Sequence, residues 1–331
     1  MKLKQTIITA CASILLMSAC SSTKQQTSPE SFTNAHLAQY KLNKPEAIAE
    51  YEFAAKHAQK YTDLITEITE QGKKVNWPTH YLTKQVGTEL TEILDKYSEK
   101  NQQKEFAAEL LELTPSTAFD QAYIEHILGK LYAQQSDYPT ALHYLEKSTQ
   151  SFILGQKTYV DVLKNIATLY LATQNFEQAQ RYYYQYIRYQ GFAEPMVYDQ
   201  LAFIHYQQNE FILAAMAAQR AMEPKSSNNS QLIMQLSAWQ QLDMHYNSLL
   251  VAHQQQEYAP KSALYLNNLA NLYDLVDDYN NIIKYRLLSY EYGQRKTNGN
   301  QKQLSSAYSF SGQHELALST FQECKKQKIC K

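Results

Sequence analysis

One pattern recurs about every 35 residues from residue 122 to residue 328 of this chain of 331 residues. Each copy begins with an aliphatic residue that is followed directly by a small one, and in most copies a tyrosine stands three positions after the small residue. Six positions further along there is usually an aromatic residue. An alanine or an aliphatic residue follows three positions after that. The small residues are Gly129, Ala167, Ala202, Ser237, Ala270 and Ser305. Self-similarity at a fixed period of roughly 20 to 50 residues is the signature of a repeat protein, in which each unit buries its apolar face only by stacking on its neighbours.

The residue types within each copy predict a pair of packed helices. The small residue of the first helix and an alanine of the second, such as Ala141 or Ala179, allow two backbones to approach closely. The aromatic residue near the turn can fill the wedge between neighbouring pairs. A generic helical bundle is the alternative, but aromatic residues at the turn position in five of the six copies argue against it.

The period and the pattern resemble the tetratricopeptide repeat (TPR), a helix–turn–helix unit of about 34 residues. The fourth copy is degenerate, because Gln240 and Leu249 replace the usual tyrosine and alanine. The resemblance implies an all-α fold, an α-solenoid of about six TPR-like hairpins over residues 116–331. It also implies a protein that binds other proteins and is not an enzyme.

Residues 41–115 are also predicted to be helical, as an N-terminal helical cap or as divergent repeats. Pro45 is typical of a helix start, and Gly72 of a helix end. A turn at Trp77 is followed by predicted helices near 79–98 and 101–113. These segments fit the 34-residue template badly, so a separate small domain ending near Pro115 is the alternative.

The N-terminus has the features of a signal peptide. Lys2 and Lys4 precede an apolar stretch at residues 7–19, which is too short to span a bilayer as a helix. The stretch ends in Met17, Ser18, Ala19 and Cys20, which resembles the lipobox of bacterial lipoproteins. The resemblance implies removal of residues 1–19 and a covalent lipid on Cys20, and an ordinary secretory signal is the alternative.

Residues 20–40 are predicted to be the lipidated cysteine and a flexible tether, since residues 21–35 are rich in Ser, Thr, Gln and Asn. Ser21 after the cysteine resembles lipoproteins sorted to the outer membrane. The expected location is therefore the outer membrane of a two-membrane bacterium, with the folded part facing the periplasm.

Two cysteines remain for the folded part, Cys324 and Cys330. After export they could form a disulfide. Six residues apart on a continuous helix, their side chains would point about 120° away from one another. The disulfide therefore requires the last helix to end between them, and two unpaired thiols are the alternative.

Charge and motifs exclude several functions. Removal of Lys2 and Lys4 from the 31 basic residues leaves 29 against 32 acidic ones, without a block of like charge, so nucleic acid is not expected as a partner. The sequence has no nucleophile motif and no phosphate-binding glycine-rich loop, and His314-Glu315 lacks the second histidine of a zinc protease. We expect no catalytic residue, no metal and no cofactor other than the lipid.

A groove for partner proteins is predicted on the first helices of the repeats. Template positions five and nine lie one helical turn apart and point to the same side. With two nearby positions, the predicted groove residues are His126, Lys130, Lys164, Thr168, Asp199, Phe203, Tyr206, Asn267, Asn271, Asp274, Lys302 and Ser306.

The function favoured by the sequence is a membrane-anchored scaffold for protein–protein interaction in the bacterial envelope. It would assist assembly of a pilus, a secretin or a peptidoglycan-remodelling complex. The alternative is a glycan-binding lipoprotein that stacks sugars on aromatic residues, motivated by 27 tyrosines. Residues 182–186 form a tyrosine-rich run, in which Tyr183 and Tyr186 are expected to face the core.

Overall fold

The computed structural model of the chain describes residues 42, 44–97, 103–222 and 229–330. Within these residues it contains fifteen helices and no strand, which confirms the all-α fold class. The signal peptide, Cys20 and the tether that the sequence predicts lie outside the described residues. The helices are α1 Pro45–Gly72, α2 Lys84–Lys96, α3 Gln103–Glu112, α4 Ala118–Gln134, α5 Tyr138–Gln150, α6 Gln156–Ala172, α7 Phe176–Gln190, α8 Pro195–Gln207, α9 Phe211–Ala221, α10 Asn229–Gln241, α11 His245–Tyr258, α12 Ala263–Asp274, α13 Tyr279–Glu291, α14 Asn298–Phe310 and α15 His314–Lys326.

The six copies of the sequence pattern form six helical hairpins. They are α4/α5, α6/α7, α8/α9, α10/α11, α12/α13 and α14/α15, numbered here as hairpins one to six. The small residue of the first copy sits at a close contact, because a Cβ atom added to Gly129 would lie 2.5 Å from Leu145 Cγ of the partner helix. The predicted reason for small residues at this position therefore holds in hairpin one.

All six hairpins turn in the same way. One residue in each turn has a positive φ, between 52° and 80°: Ser136, Gln174, Asn209, Asp243, Asp277 and Gly312. The N–H group of the next residue returns to the carbonyl five positions back, as from Asp137 to Tyr132 at 3.0 Å and from Gln313 to Tyr308 at 2.8 Å. This turn satisfies carbonyl groups that the end of the first helix leaves without a helical partner.

Three hairpins contain a stacked pair of tyrosines, one on each helix and twelve residues apart. The ring centroids are 5.7 Å apart for Tyr132 and Tyr144, 5.7 Å for Tyr170 and Tyr182, and 5.5 Å for Tyr273 and Tyr285. The recurrent tyrosine of the sequence pattern thus packs within its own hairpin, on its partner helix.

The described residues form two compact units. One comprises residues 66–192, and the other comprises residues 42–65 and 193–330, so that the boundary falls within α1. One side of α1 is buried, through Ala47, Tyr51, Ala54, Tyr61, Ile65 and Ile68. The spacings between these positions are mostly four and three residues, which is characteristic of a helix that packs along one face.

The helix predicted to begin near residue 79 begins later, at Lys84, and that boundary was wrong. The backbone N–H of Thr83 and its hydroxyl both donate to the carboxylate of Asp120, at 2.9 and 3.1 Å. This contact favours a helix start after Thr83, because an N–H group that donates to Asp120 is not available for a hydrogen bond within a helix.

The C-terminal helix ends at Lys326, between the two cysteines. Cys324 and Cys330 are joined by a disulfide with a Cα–Cα distance of 5.2 Å. No helix in the described part of the chain combines the length and the apolar character needed to cross a bilayer.

A polar face on hairpins five and six

Three of the predicted groove residues form a hydrogen-bonded surface with residues of the next hairpin. Asn267, Asn271 and Asp274 are spaced by four and three positions on α12, which places them on one side of that helix. Asn300 and Gln303 come from α14, and Arg286 of α13 connects the two sets. These six residues are called the polar face below.

Arg286 is the centre of this arrangement and is fully buried. Its Nη1 donates to Oδ1 of Asn267, and its Nη2 donates to Oδ1 of Asn271 at 2.5 Å and to Oε1 of Gln303. A guanidinium taken out of water is stabilised where its donors meet acceptors, and among the described residues Nη1 and Nη2 of Arg286 have acceptors whereas its Nε has none. Here the acceptors are three neutral amide oxygens from two hairpins, so the polar face also joins those hairpins.

The remaining bonds extend the network to a carboxylate. The side-chain amide of Gln303 donates to Oδ2 of Asp274 at 3.0 Å, and that of Asn300 donates to Oδ1 of Asn267 at 3.2 Å. Burial lowers the pKa of Arg286, whereas Tyr290 and Asp274 act in the opposite direction. Arginine nevertheless remains charged in proteins, so the polar face contains a permanent positive charge below its surface.

Local sequence fixes where these helices start and hence which residues face each other. The Ser262 hydroxyl accepts a hydrogen bond from the N–H of Tyr265 at the start of α12. Thr297 caps α14 in the same manner, accepting from the N–H of Asn300 at 3.2 Å. Serine and threonine are strongly preferred at this position because their hydroxyls satisfy helix N–H groups.

Arg286 was not among the predicted groove residues, although the sequence contains a signal for it. Arg286 is the eighth residue of its second helix, and the other five second helices have apolar or aromatic residues there: Leu145, Tyr183, Ala218, Ala252 and Phe321. A charged residue at a position that is otherwise part of the core indicates a special contact. Asn300 and Gln303 carry no such signal.

The predicted groove residues in residues 66–192 make other contacts. His126 is buried, and burial together with the charge of Lys130 lowers the pKa of His126 to about 4. Lys164 lies over the ring of Tyr186, with Nζ 5.6 Å from the centroid. Thr168 is exposed and lies 3.3 Å from the hydroxyl of Tyr183.

The other predicted groove residues belong to hairpins three and six. Burial raises the pKa of the half-buried Asp199. The Phe203 side chain is 38% exposed, and Tyr206 packs edge-on against Phe211 with centroids 5.3 Å apart. Lys302 and Ser306 are exposed on α14. At the polar face, predicted groove residues of hairpin five are therefore joined by hydrogen bonds to residues of hairpin six.

The tyrosine-rich run lies in the core. Tyr182, Tyr183 and Tyr186 are all buried, whereas the sequence placed only Tyr183 and Tyr186 there. Both Tyr170 and Tyr182 donate to Glu146, at 2.6 and 3.1 Å, which explains why Tyr182 can be buried with its hydroxyl satisfied. Within the described residues, no group of three or more His, Cys, Asp or Glu side chains is arranged to hold a metal ion.

The six hairpins consist of paired helices joined by the same turn, and hairpin one has a close contact at its small residue. The hairpins are TPR-like in their architecture. A family model described as the Sec16 Sec23-binding domain matches residues 16–113, which is less than a third of the chain and ends before Ala118, where the first hairpin begins. Comparison with curated proteins gives no match.

Several solved structures are similar to this chain at low sequence identity. A tetratricopeptide repeat protein from Parabacteroides merdae is 13% identical, with a TM-score of 0.44 over 72% of this chain and 93% of that one. YrrB, described as a TPR protein with an unusual peptide-binding site, is 12% identical, with a TM-score of 0.43 over 62% and 92%. MamA of AMB-1 is 12% identical, with a TM-score of 0.42 over 51% and 92%.

Proposed function

We propose that the chain is a protein-interaction scaffold that binds a segment of a partner protein along the polar face. The observation that carries the proposal is the joining of side chains from two hairpins into one hydrogen-bonded surface by Arg286. Exposed Asn271 and Asp274 offer a donor and an acceptor side by side on this surface. A surface with both kinds of group suits the backbone of another protein, which also has both.

Site-specific photo-crosslinking in cells tests this proposal. A photoreactive amino acid replaces Ser306, which is exposed and one turn beyond Gln303 on α14. The matched control replaces Gln322, which is exposed on α15 of the same hairpin. We expect a discrete adduct with a protein from Ser306 that is lost when Asp274→Lys is added, and no such adduct from Gln322. The same adducts from both positions, or none from Ser306, would contradict the proposal.

We further propose that the scaffold is attached to the outer membrane through a lipid on Cys20 and faces the periplasm. The residues from Met17 to Ser21 support the lipid and its destination. The assembly of a pilus, a secretin or a peptidoglycan-remodelling complex is the process that we propose it assists. Membrane fractionation of wild type and Cys20→Ser tests the anchor. We expect the variant to leave the membrane fraction, and equal membrane retention of both would refute the anchor.

A further inference from the structure

The chemistry of a guanidinium decides how the amides beside it are oriented. Arginine has five N–H donors and no acceptor, so an amide that contacts it must turn its oxygen inward and its NH2 group away. Oxygen atoms of Asn267 and Asn271 both face Arg286. Their NH2 groups therefore point away from the buried charge. Without Arg286, the amide of Asn271 could rotate and present either its oxygen or its NH2 group, whereas the oxygen of Asn267 would keep only the bond from Asn300.

The spacing of the two amides matches an extended polypeptide. Residues four apart on a helix are separated by about 6 Å along its axis. Carbonyl groups on the same side of an extended chain repeat every two residues, or about 6.6 Å. Asn267 and Asn271 can therefore donate to two successive same-side carbonyls. Asp274, three residues further along α12, provides the acceptor for an N–H group or a cation beyond them.

The stacked tyrosine pair inside this hairpin offers no surface to a sugar. Tyr273 and Tyr285 are buried and stacked on each other, with centroids 5.5 Å apart. A sugar-binding platform needs an aromatic face that the sugar can cover. The regular pair of amide donors is the more specific feature of this surface.

We propose that Arg286 is a positioning residue that fixes the amides of Asn267 and Asn271 as outward-facing donors, so that the polar face binds main-chain carbonyls of an extended peptide segment. This inference rests on the proposed function and specifies the ligand chemistry of the same site. It assigns recognition to internal backbone groups of the partner, so a C-terminal carboxylate is not required.

The substitution Asn271→Asp separates positioning from binding. Aspartate has the shape of asparagine and keeps an oxygen toward Arg286, but it replaces the outward NH2 group by a second acceptor. The fold is therefore retained while the donor is lost. Asn280→Asp is the matched control, because Asn280 is exposed on α13 and lies outside the polar face.

The probes are a library of short peptides with acetylated N-termini and amidated C-termini, and soluble fragments of peptidoglycan glycan strands. Peptides selected on the full chain are titrated by calorimetry against wild type, Asn271→Asp and Asn280→Asp. We expect Asn271→Asp to weaken binding by about tenfold or more, which corresponds to one hydrogen bond, and Asn280→Asp to have no effect. We also expect Arg286→Met to weaken binding although this residue touches no ligand.

The outcomes separate this inference from the proposed function. Peptide binding by wild type that survives Asn271→Asp would overturn the inference and leave the scaffold function standing. Binding of no blocked peptide, or of glycan fragments only, would overturn both. Each selected peptide is also titrated with a free C-terminal carboxylate, and tighter binding of that form than of the amidated form would overturn the inference, because it would assign recognition to a carboxylate.

Discussion

Glu50 and Asn247 are joined by two hydrogen bonds although they lie 197 positions apart. The Glu50 carboxylate accepts from the backbone N–H of Asn247 at 3.0 Å, and the Asn247 side-chain amide donates to the Glu50 carbonyl at 3.1 Å. The same carboxylate accepts from the N–H of Tyr246 at 2.9 Å. Met244, the residue before α11, has only a thioether, which is a weak acceptor. Glu50 of α1 thus provides the cap that α11 cannot make for itself.

Replacement of Glu50 should expose the start of α11. We expect Glu50→Ala to lower the free energy of unfolding by about 0.5 to 2 kcal/mol, the usual range for loss of a helix cap. Amide hydrogen exchange measures this directly, and the N–H groups of Tyr246 and Asn247 should exchange faster in the variant. Addition of Met244→Asp gives α11 a cap of its own and should restore their protection.

Glu52→Ala is the control for this experiment, because Glu52 is exposed on the same helix. Amide exchange at the start of α11 should be the same in Glu52→Ala as in the wild type. Unchanged protection of Tyr246 and Asn247 in Glu50→Ala would show that the carboxylate is not their cap.

Two glycines should respond to alanine in opposite directions. A Cβ atom at Gly72, the last residue of α1, would lie 1.6 Å from the carbonyl oxygen of Arg188. A Cβ atom at Gly87 in α2 would meet only Leu82 Cβ, at 3.7 Å. We expect Gly72→Ala to destabilise by roughly 1 to 3 kcal/mol and Gly87→Ala to stabilise by up to about 1 kcal/mol. Urea unfolding measures both changes in stability. A Gly72→Ala variant as stable as the wild type would refute the close backbone contact.

The repeats could be predicted because their signal is local. Small residues, aromatic residues and alanines at fixed spacing encode each hairpin, and all six were located from the sequence. Asp278, which follows the turn of hairpin five, caps α13 by accepting from the N–H of Asn281 at 3.1 Å, and this contact is also local in sequence. The bond between Glu50 and α11 could not be predicted, because nothing near Glu50 in sequence indicates a partner almost 200 positions away.

Buried His253 should make stability depend on pH. Its Nε2 lies 2.7 Å from the hydroxyl of Tyr273, and burial, with a smaller contribution from Lys284, lowers the pKa of His253 to about 3. In the unfolded chain the pKa of this histidine is near 6.5, so between about pH 3 and pH 6.5 the unfolded chain binds more protons than the folded one. Stability should therefore fall as pH decreases below about 6.5, by up to about 1.4 kcal/mol per pH unit from this group.

Urea unfolding of wild type and His253→Gln at several pH values checks this dependence. Glutamine can still form a hydrogen bond with Tyr273 but does not titrate. The slope of stability against pH should be smaller in the variant, with the remainder due to other groups such as His126. Equal slopes for the two proteins would refute a buried neutral His253.

The glycine of the last turn lowers the cost of its positive φ, which the other five turns impose on a residue with a side chain. Gly312 has a φ of 80°, in the region that residues with a side chain rarely adopt. Gly299 in α14 also has open space around it but has no positive φ. We expect Gly312→Ala to lower stability by about 1 kcal/mol and Gly299→Ala to raise it slightly. Thermal unfolding distinguishes them, and equal melting temperatures would contradict the left-handed turn.

The polar face could be predicted only in part. Asn267, Asn271 and Asp274 were found because one helix displays them at a regular spacing. Arg286 is on the second helix and Gln303 on the next hairpin, so their meeting depends on how two hairpins stack. Hydrogen bonds between hairpins have no fixed spacing in sequence, which is why the template positions missed both residues.

The side-chain amide signals of Asn267 and Asn271 test the polar face most directly. They can be followed by NMR in full chain labelled with nitrogen-15 at asparagine, during titration with a blocked peptide selected on the wild type. Both NH2 signals should shift in proportion to bound peptide, while the signal of exposed Asn280 stays in place. Saturation of the protein with peptide while the Asn267 and Asn271 signals remain unmoved would contradict binding at this face.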